Sequence, residues 1–250
     1  MAQYKEIKAK YSDCILFFRL GDFYEMFFDD ALTASKILNI VLTSRNKGDG
    51  KAPMCGIPYH AASQYISKLT KAGKKVAICD QISDPKEPGL VKRDVVRVVT
   101  PGTTLDEKNL ETKSNNFIAS VVSDDGAYGV AFADITTGEF KVFETKNFEE
   151  EIEHISPTEC ILEAGTTLTL PDNIYVYEFE SYRDAEQILL DHFKVKNMES
   201  FGLRDMDLGL RAAGRLLHYL QETQKTDLSH IQKIQPFHTD GFMPLDEASI

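Results

Sequence analysis

A predicted β-hairpin near the N-terminus constrains the fold of this chain most strongly. An apolar run at residues 15–20 is followed by Gly21-Asp22 and then by the aromatic segment at residues 23–28. Two such segments joined by a Gly-containing turn are typical of a hairpin. Alternate side chains of a strand share one face, so Phe23 and Glu25 would lie side by side. In a helix, residues two apart point away from each other and the pair would separate.

The rest of the first hundred residues predicts a mixed α/β domain. Turn residues, capping residues and apolar periodicity indicate alternating short helices and strands. Asp29 or Asp30 is the expected N-cap of the second helix, because a carboxylate accepts the free N–H groups of a first turn. The predicted elements are helices at 2–11, 30–38 and 61–72, strands at 15–20, 23–28, 75–81 and 95–100, and a loop at 53–58. We assign this domain to residues 1–103.

A polar stretch at residues 104–116 lacks apolar periodicity and predicts a linker. Beyond it, three strand signals are separated by hairpin turns, and alternating helices and strands follow. Three antiparallel strands leading into such an alternation predict a three-layer α/β domain at residues 117–205, in the order of ribonuclease-H-like folds. The predicted strands are 117–123, 128–134, 139–144, 159–163 and 175–178, and the predicted helices are 148–154 and 183–193.

Residues 206–250 predict the start of an all-α region. Leucine spacing indicates an amphipathic helix at residues 207–223. The last residues, 245–250, look like the opening of a further element, so we expect the sequence to be a fragment of a larger protein.

The net charge of −11 is divided unequally along the chain. Residues 1–100 contain 16 Lys and Arg against 11 Asp and Glu, a net of +5, while the remainder carries −16. This asymmetry is compatible with a basic domain that meets a polyanion and an acidic domain that does not. An ordinary surface explains +5 over a hundred residues equally well.

Neither a membrane protein nor a metalloprotein is indicated. No apolar run approaches the roughly 20 residues that cross a bilayer, and no leader peptide is recognisable, so we expect a cytoplasmic chain. The four cysteines form no CxxC pair and the histidines no HExxH. We expect reduced, buried thiols and no bound metal.

Four separated motifs carry a family resemblance. They are residues 1–28 with the Phe23-x-Glu25 segment, Gly56-Ile-Pro-Tyr-His60, residues 76–81 and residues 95–103. In this order they resemble the N-terminal region of the MutS family of DNA mismatch-repair proteins. Residues 134–140 and the helix containing Ala212-Ala213-Gly214 resemble the second domain of that family and its exit.

The resemblance implies an α/β fold with an N-terminal mixed α/β mismatch-recognition domain, a ribonuclease-H-like connector domain and the start of the helical core. It implies that Phe23 stacks on a mispaired base while Glu25 hydrogen-bonds to it in a kinked minor groove. Candidates for contacts with the DNA backbone are Arg93, which matches a family position near the kink, and Arg45, Lys92 and Arg97.

Further expectations concern partners and cofactors. The resemblance implies double-stranded DNA with mismatches or small loops as the ligand, a MutL-like partner for the connector, and a homodimeric full-length bacterial protein that meets the nucleoid when it is on DNA. The sequence contains no GxxxxGK[ST] motif, so this chain is not expected to be an enzyme or to hold a cofactor. ATP and Mg would belong to a C-terminal ATPase domain outside it.

Two alternatives remain open at this stage. Asp124, Asp125, Asp134 and Glu163 would form a two-metal nuclease site if the second domain brought them together. Alternatively, the chain would serve mainly as a partner-docking module through its acidic domain.

Overall fold

The computed structural model describes residues 1–45, 52–83, 91–104, 115–180 and 183–237. The chain divides into two compact units. The first comprises the described residues up to 104 together with Leu220–Thr226, and the second comprises Asn115–Tyr219 together with the described residues from Asp227 onward. Most of the linker predicted at 104–116 and the element predicted at 245–250 lie outside the described residues.

The first unit is a mixed six-stranded sheet with helices on both faces. The strands are in the order β3-β4-β2-β1-β5-β6, with β1 antiparallel to β2 and parallel to β5. Short 3-10 helices occupy Tyr59–Ala61 and Pro101–Thr103. The elements are α1 (Ala2–Lys10), β1 (Cys14–Leu20), β2 (Phe23–Phe27), α2 (Phe28–Leu38), β3 (Thr43–Arg45), β4 (Ala52–Pro58), α3 (Ala62–Lys71), β5 (Lys75–Gln81) and β6 (Arg93–Val99).

Two separate cores flank this sheet. Residues of α2 and α3 pack on one face, where Tyr24 and Met26 of β2 are buried. Residues of α1 cover the other face, where Phe27 of β2 is buried with Tyr4 and Phe18. Strand β2 therefore contributes alternate side chains to two cores, which fixes its register, because a slip of one residue would exchange the two sets.

Two local predictions were wrong. Residues 53–58 form strand β4, which pairs with β2 and β3, and not a loop. Pro53, Gly56 and Pro58 are atypical of a strand, and they obscured the alternating burial of Cys55 and Ile57. Helix α2 begins at Phe28 after an N-cap at Phe27 that makes no side-chain cap bond.

Asp30, one of the two carboxylates predicted to cap α2, serves the core instead. Asp30 is buried and accepts hydrogen bonds from the Leu16 backbone N–H at 3.0 Å, the Tyr4 hydroxyl at 3.1 Å and Lys8 Nζ at 2.9 Å. These three donors leave the carboxylate well satisfied despite its burial.

The second unit confirms the predicted three-layer α/β arrangement. Its sheet order is β11-β10-β7-β8-β9-β12, with β7, β8 and β9 antiparallel and β10 and β11 added in parallel beside β7. A short 3-10 helix occupies Glu199–Phe201. The elements are β7 (Phe117–Asp124), β8 (Ala127–Asp134), β9 (Glu139–Thr145), α4 (Phe148–Ile155), β10 (Glu159–Leu162), β11 (Tyr175–Glu178), α5 (Ala185–Phe193), α6 (Asp207–Gln224) and β12 (Gln235–Pro236). The residues of α6 from Leu220 onward belong to the first unit.

Helices lie on both faces of the second sheet. Phe148 and Ile152 of α4 pack on one face against Val130 and Phe132. On the other face, the Gly209 backbone N–H at the start of α6 donates to Glu144 Oε1 at 2.9 Å. Gly129 of β8 faces the Leu208 backbone so closely that no side chain fits there. Among the helices that the structure describes, none is long and apolar enough to cross a bilayer.

Candidate nucleic-acid interface

Strand β2 presents Phe23 and Glu25 on the same face of the first sheet. In the β1–β2 hairpin, Phe23 pairs with Leu20 and Glu25 pairs with Phe18. The intervening Tyr24 is buried on the opposite face. The strand geometry predicted for this segment is therefore confirmed, and the ring and the carboxylate lie side by side.

Phe23 is the first residue of β2 and is 48% exposed. The preceding Gly21 adopts a φ of +59°, which suits glycine and closes the turn tightly. The Tyr59 backbone N–H donates to Asp22 O at 2.9 Å, so the turn is fastened to the end of β4. A single exposed apolar side chain is ordinary on a protein surface, so the exposure of Phe23 indicates a functional role only in combination with its neighbours.

Glu25 forms an ion pair with Arg45. Arg45 Nη1 lies 3.6 Å from Glu25 Oε2, and the side chains are 46% and 22% exposed. Glu25 pairs with Gly56 of β4 and Arg45 pairs with Ala52 of the same strand. Gly56 and Ala52 differ by an even number of positions along β4, so Glu25 and Arg45 lie on one face of the sheet.

The Glu25 carboxylate is only partly satisfied. Its Oε2 atom is shielded from solvent and has no hydrogen-bond partner within the described part of the chain. The Arg45 contact at 3.6 Å is an ion pair without hydrogen-bond geometry. An acceptor without a donor is energetically costly in a shielded position, so a group that donated a hydrogen bond to this carboxylate would be bound favourably.

The other three candidate cations lie in different surroundings. Lys92 is exposed immediately before β6. Arg93 is held internally, since its Nε donates to Arg19 O at 2.7 Å and its guanidinium lies 5.3 Å from the Phe18 ring centre. Arg97 is half-buried and donates to Thr103 O at 3.1 Å, and burial lowers the pKa of its guanidinium. Of the four candidates, Arg45 is the one that the structure brings to Glu25.

A polar cluster that the sequence did not reveal lies on the opposite face of the hairpin end. The Tyr24 hydroxyl donates to Asp80, and Arg19 Nη1 lies 3.8 Å from the same carboxylate. The Arg19 guanidinium also stacks 3.6 Å from the Tyr59 ring centre. Burial, and then the charge of Asp80, raise the pKa of Tyr24 to about 12. These contacts fasten β2, β1 and β5 together directly behind Phe23.

The acidic residues of the nuclease alternative have separate structural roles. Asp134 Oδ1 accepts from the backbone N–H of Thr136 at 2.8 Å, which fixes a turn. Glu163 pairs with Arg215 at 2.6 Å, and Asp125 is a turn residue with a φ of +46°. Over the described ranges, no group of three or more His, Cys, Asp or Glu residues is placed to hold a metal ion.

Comparisons with known proteins match both units. Residues 1–108 match the family model described as MutS domain I, and residues 116–232 match MutS domain II. A protein named DNA mismatch repair protein MutS from Lachnoclostridium phytofermentans is 47% identical over 266 residues, covering 100% of this chain and 28% of that protein. Proteins of the same name from Desulfatibacillum aliphaticivorans and Myxococcus xanthus are 45% and 43% identical, over 99% and 100% of this chain and 30% of each relative.

This chain thus spans about 30% of the length of these curated relatives. The matches cover nearly all of its sequence and each of its two units corresponds to one domain model, so the chain belongs to the MutS family.

Proposed function

We propose that this chain recognises mismatched or looped-out bases in duplex DNA, with Phe23 stacking on a mispaired base and Glu25 hydrogen-bonding to it in a kinked minor groove. One observation carries the proposal: a half-exposed aromatic ring stands at the end of a fastened hairpin, beside a carboxylate on the same face. The relatives named DNA mismatch repair protein MutS support it.

The ring of Phe23 suits the detection of a weakened base step. Inserting an apolar side chain between bases costs a few kcal/mol of unstacking, and less where pairing is already poor. Stacking of a base on an aromatic ring returns about 1–3 kcal/mol and accepts any base. The net gain is therefore largest at a mispair, whatever its identity.

The carboxylate of Glu25 suits discrimination against paired DNA. Its charge is repelled by phosphates on every duplex, whereas a compensating hydrogen bond to a base exists only where that base has left the stack. The Glu25 carboxylate lacks a donor at its Oε2 atom among the described residues, which is compatible with this role.

Sequence-independent attraction would come from exposed cations near the hairpin. Arg45 and Lys92 are exposed and suit contacts with phosphates. Arg93 and Arg97 remain candidates as well, although their guanidinium groups already donate internal hydrogen bonds to Arg19 O and Thr103 O.

The second unit is proposed as a connector that carries signals from the recognition domain to a MutL-like partner. We infer that the complete protein is a homodimeric ATPase of the bacterial cytoplasm and nucleoid, and that its ATP and Mg bind outside this chain. We assign the mismatch-recognition domain to residues 1–103, the connector to 117–205 and the start of the core to 206–250.

A binding experiment tests the recognition role. Phe23→Ala should abolish the preference for a duplex with one mispair over the matched duplex, measured by fluorescence anisotropy with the full-length parent protein. Leu32→Ala is the matched control, since Leu32 is an exposed apolar residue at 38% on α2. A Phe23→Ala protein that retained the preference of the wild type would refute the proposal.

A further inference from the structure

We propose that Arg45 limits mismatch specificity through Glu25, by acting as the counter-ion that reduces the repulsion between this carboxylate and DNA. The inference rests on the recognition function proposed above and adds a residue to it. Its basis is the ion pair at 3.6 Å on the face that carries Phe23.

The geometry makes Arg45 a suitable partner for Glu25. Gly56 lies opposite Glu25 on β4 and has no side chain, so nothing at that position separates the carboxylate from a side chain reaching along the face. The Arg45 guanidinium lies 5.6 Å from the Phe27 ring centre, next to Glu25 on alternate positions of β2. Phe27 is buried, so this ring is a fixed support for the guanidinium.

Charge balance explains why the pair affects specificity as well as affinity. Nearly half of the Arg45 side chain is exposed, so its guanidinium can face a phosphate while it remains near Glu25. On a matched duplex, Arg45 is then the group that offsets the negative charge of Glu25. At a mispair, the hydrogen bond from Glu25 to the displaced base supplies part of that compensation. Loss of Arg45 therefore weakens binding to matched DNA more than binding to mismatched DNA.

A different result is expected if Arg45 only contacts a phosphate of the DNA backbone. A cation that only meets the DNA backbone contributes equally to every duplex, because backbone contacts carry no information about the bases. Lys92, an exposed cation that does not pair with Glu25 in the structure, provides this comparison.

The test is a double-mutant cycle on the full-length parent protein. Dissociation constants for one mismatched and one matched duplex are measured for the wild type, Arg45→Ala, Glu25→Gln and the double variant. Arg45→Ala should weaken binding to both duplexes yet raise the mismatched-to-matched preference about two- to fivefold, the range of a half-exposed ion pair. In the Glu25→Gln background, Arg45→Ala should leave the preference unchanged.

Two further variants sharpen the test. Arg45→Lys keeps the positive charge and should restore most of the wild-type preference, whereas Lys92→Ala should weaken both duplexes equally. Equal losses on both duplexes for Arg45→Ala, in both backgrounds, would overturn the role of Arg45 and leave Phe23-dependent recognition intact. A wild-type protein without any mismatch preference would instead overturn the proposed function and this inference with it.

Discussion

The hydroxyl of Tyr24 lies 3.0 Å from one carboxylate oxygen of Asp80 and 3.2 Å from the other. This contact joins β2 to β5 across the intervening strand β1, on the face opposite Phe23. Tyr24 directly follows Phe23, so the hydrogen bond fixes the backbone that carries the proposed base-stacking ring.

Tyr24→Phe should destabilise the first unit by about 1–2 kcal/mol, because it removes a charge-assisted hydrogen bond and leaves the Asp80 carboxylate with the more distant Arg19. The measurement is the free energy of unfolding from urea denaturation. Tyr65→Phe is the control, since the Tyr65 ring packs against the same core. Equal small changes in the two variants would show that the Tyr24 hydroxyl contributes little.

Phe23→Ala should have little effect on folding. Phe23 is 48% exposed, whereas Phe27 on the same strand is 1% exposed. Truncation of the buried ring should cost about 3–5 kcal/mol, and truncation of Phe23 less than about 1.5 kcal/mol, as judged by chemical denaturation. A large loss of stability in Phe23→Ala would mean that its binding defect cannot be separated from misfolding.

The sequence predicts those strands and turns that depend on a local pattern of residues. The Gly21-Asp22 turn and the alternation around it were enough to place Phe23 and Glu25 on one face, and hairpin turns predicted the three antiparallel strands of the second unit. Strand β4 was missed because its prolines and glycine mask the alternation of Cys55 and Ile57.

The contacts that complete the candidate site join residues far apart in sequence. Arg45 reaches Glu25 from another strand, and Asp80 lies 56 residues beyond Tyr24. No local periodicity identifies such partners, because strand order decides them. For the same reason, the internal hydrogen bonds of Arg93 were not foreseen, and its predicted contact with DNA stays a prediction.

Gly214→Ala should destabilise the second unit, although alanine normally favours a helix by about 1 kcal/mol over glycine. A Cβ atom at Gly214 in α6 would lie 2.5 Å from Ala185 Cα and still closer to the Ala185 carbonyl oxygen. The backbone of α5 cannot shift without a cost in packing. We therefore expect the free energy of unfolding to fall by about 1–3 kcal/mol, measured by thermal or urea unfolding. The control is Arg211→Ala, at an exposed position of the same helix. A Gly214→Ala variant as stable as the wild type would show that α5 and α6 can move apart without cost.

Alkaline pH should destabilise the protein through its buried thiols. Burial raises the pKa of Cys14, Cys79 and Cys160 to about 12 and that of Cys55 to about 11. In an unfolded chain a thiol titrates near about 8.5. Between these values the folded state binds more protons than the unfolded state, so stability is complete below about pH 8.5 and falls as the pH rises above it.

The check is the free energy of unfolding in urea, measured under reducing conditions at several values between about pH 7.5 and about pH 10. Each thiol contributes a decline of at most about 1.4 kcal/mol per pH unit. Cys160→Ala, at a fully buried position of β10, should make the decline shallower because one proton fewer is released on unfolding. A slope identical to that of the wild type would show that Cys160 stays protonated in both states over this range, and would place the source of any alkaline destabilisation in other groups, with the thiols of Cys14, Cys55 and Cys79 before Tyr24.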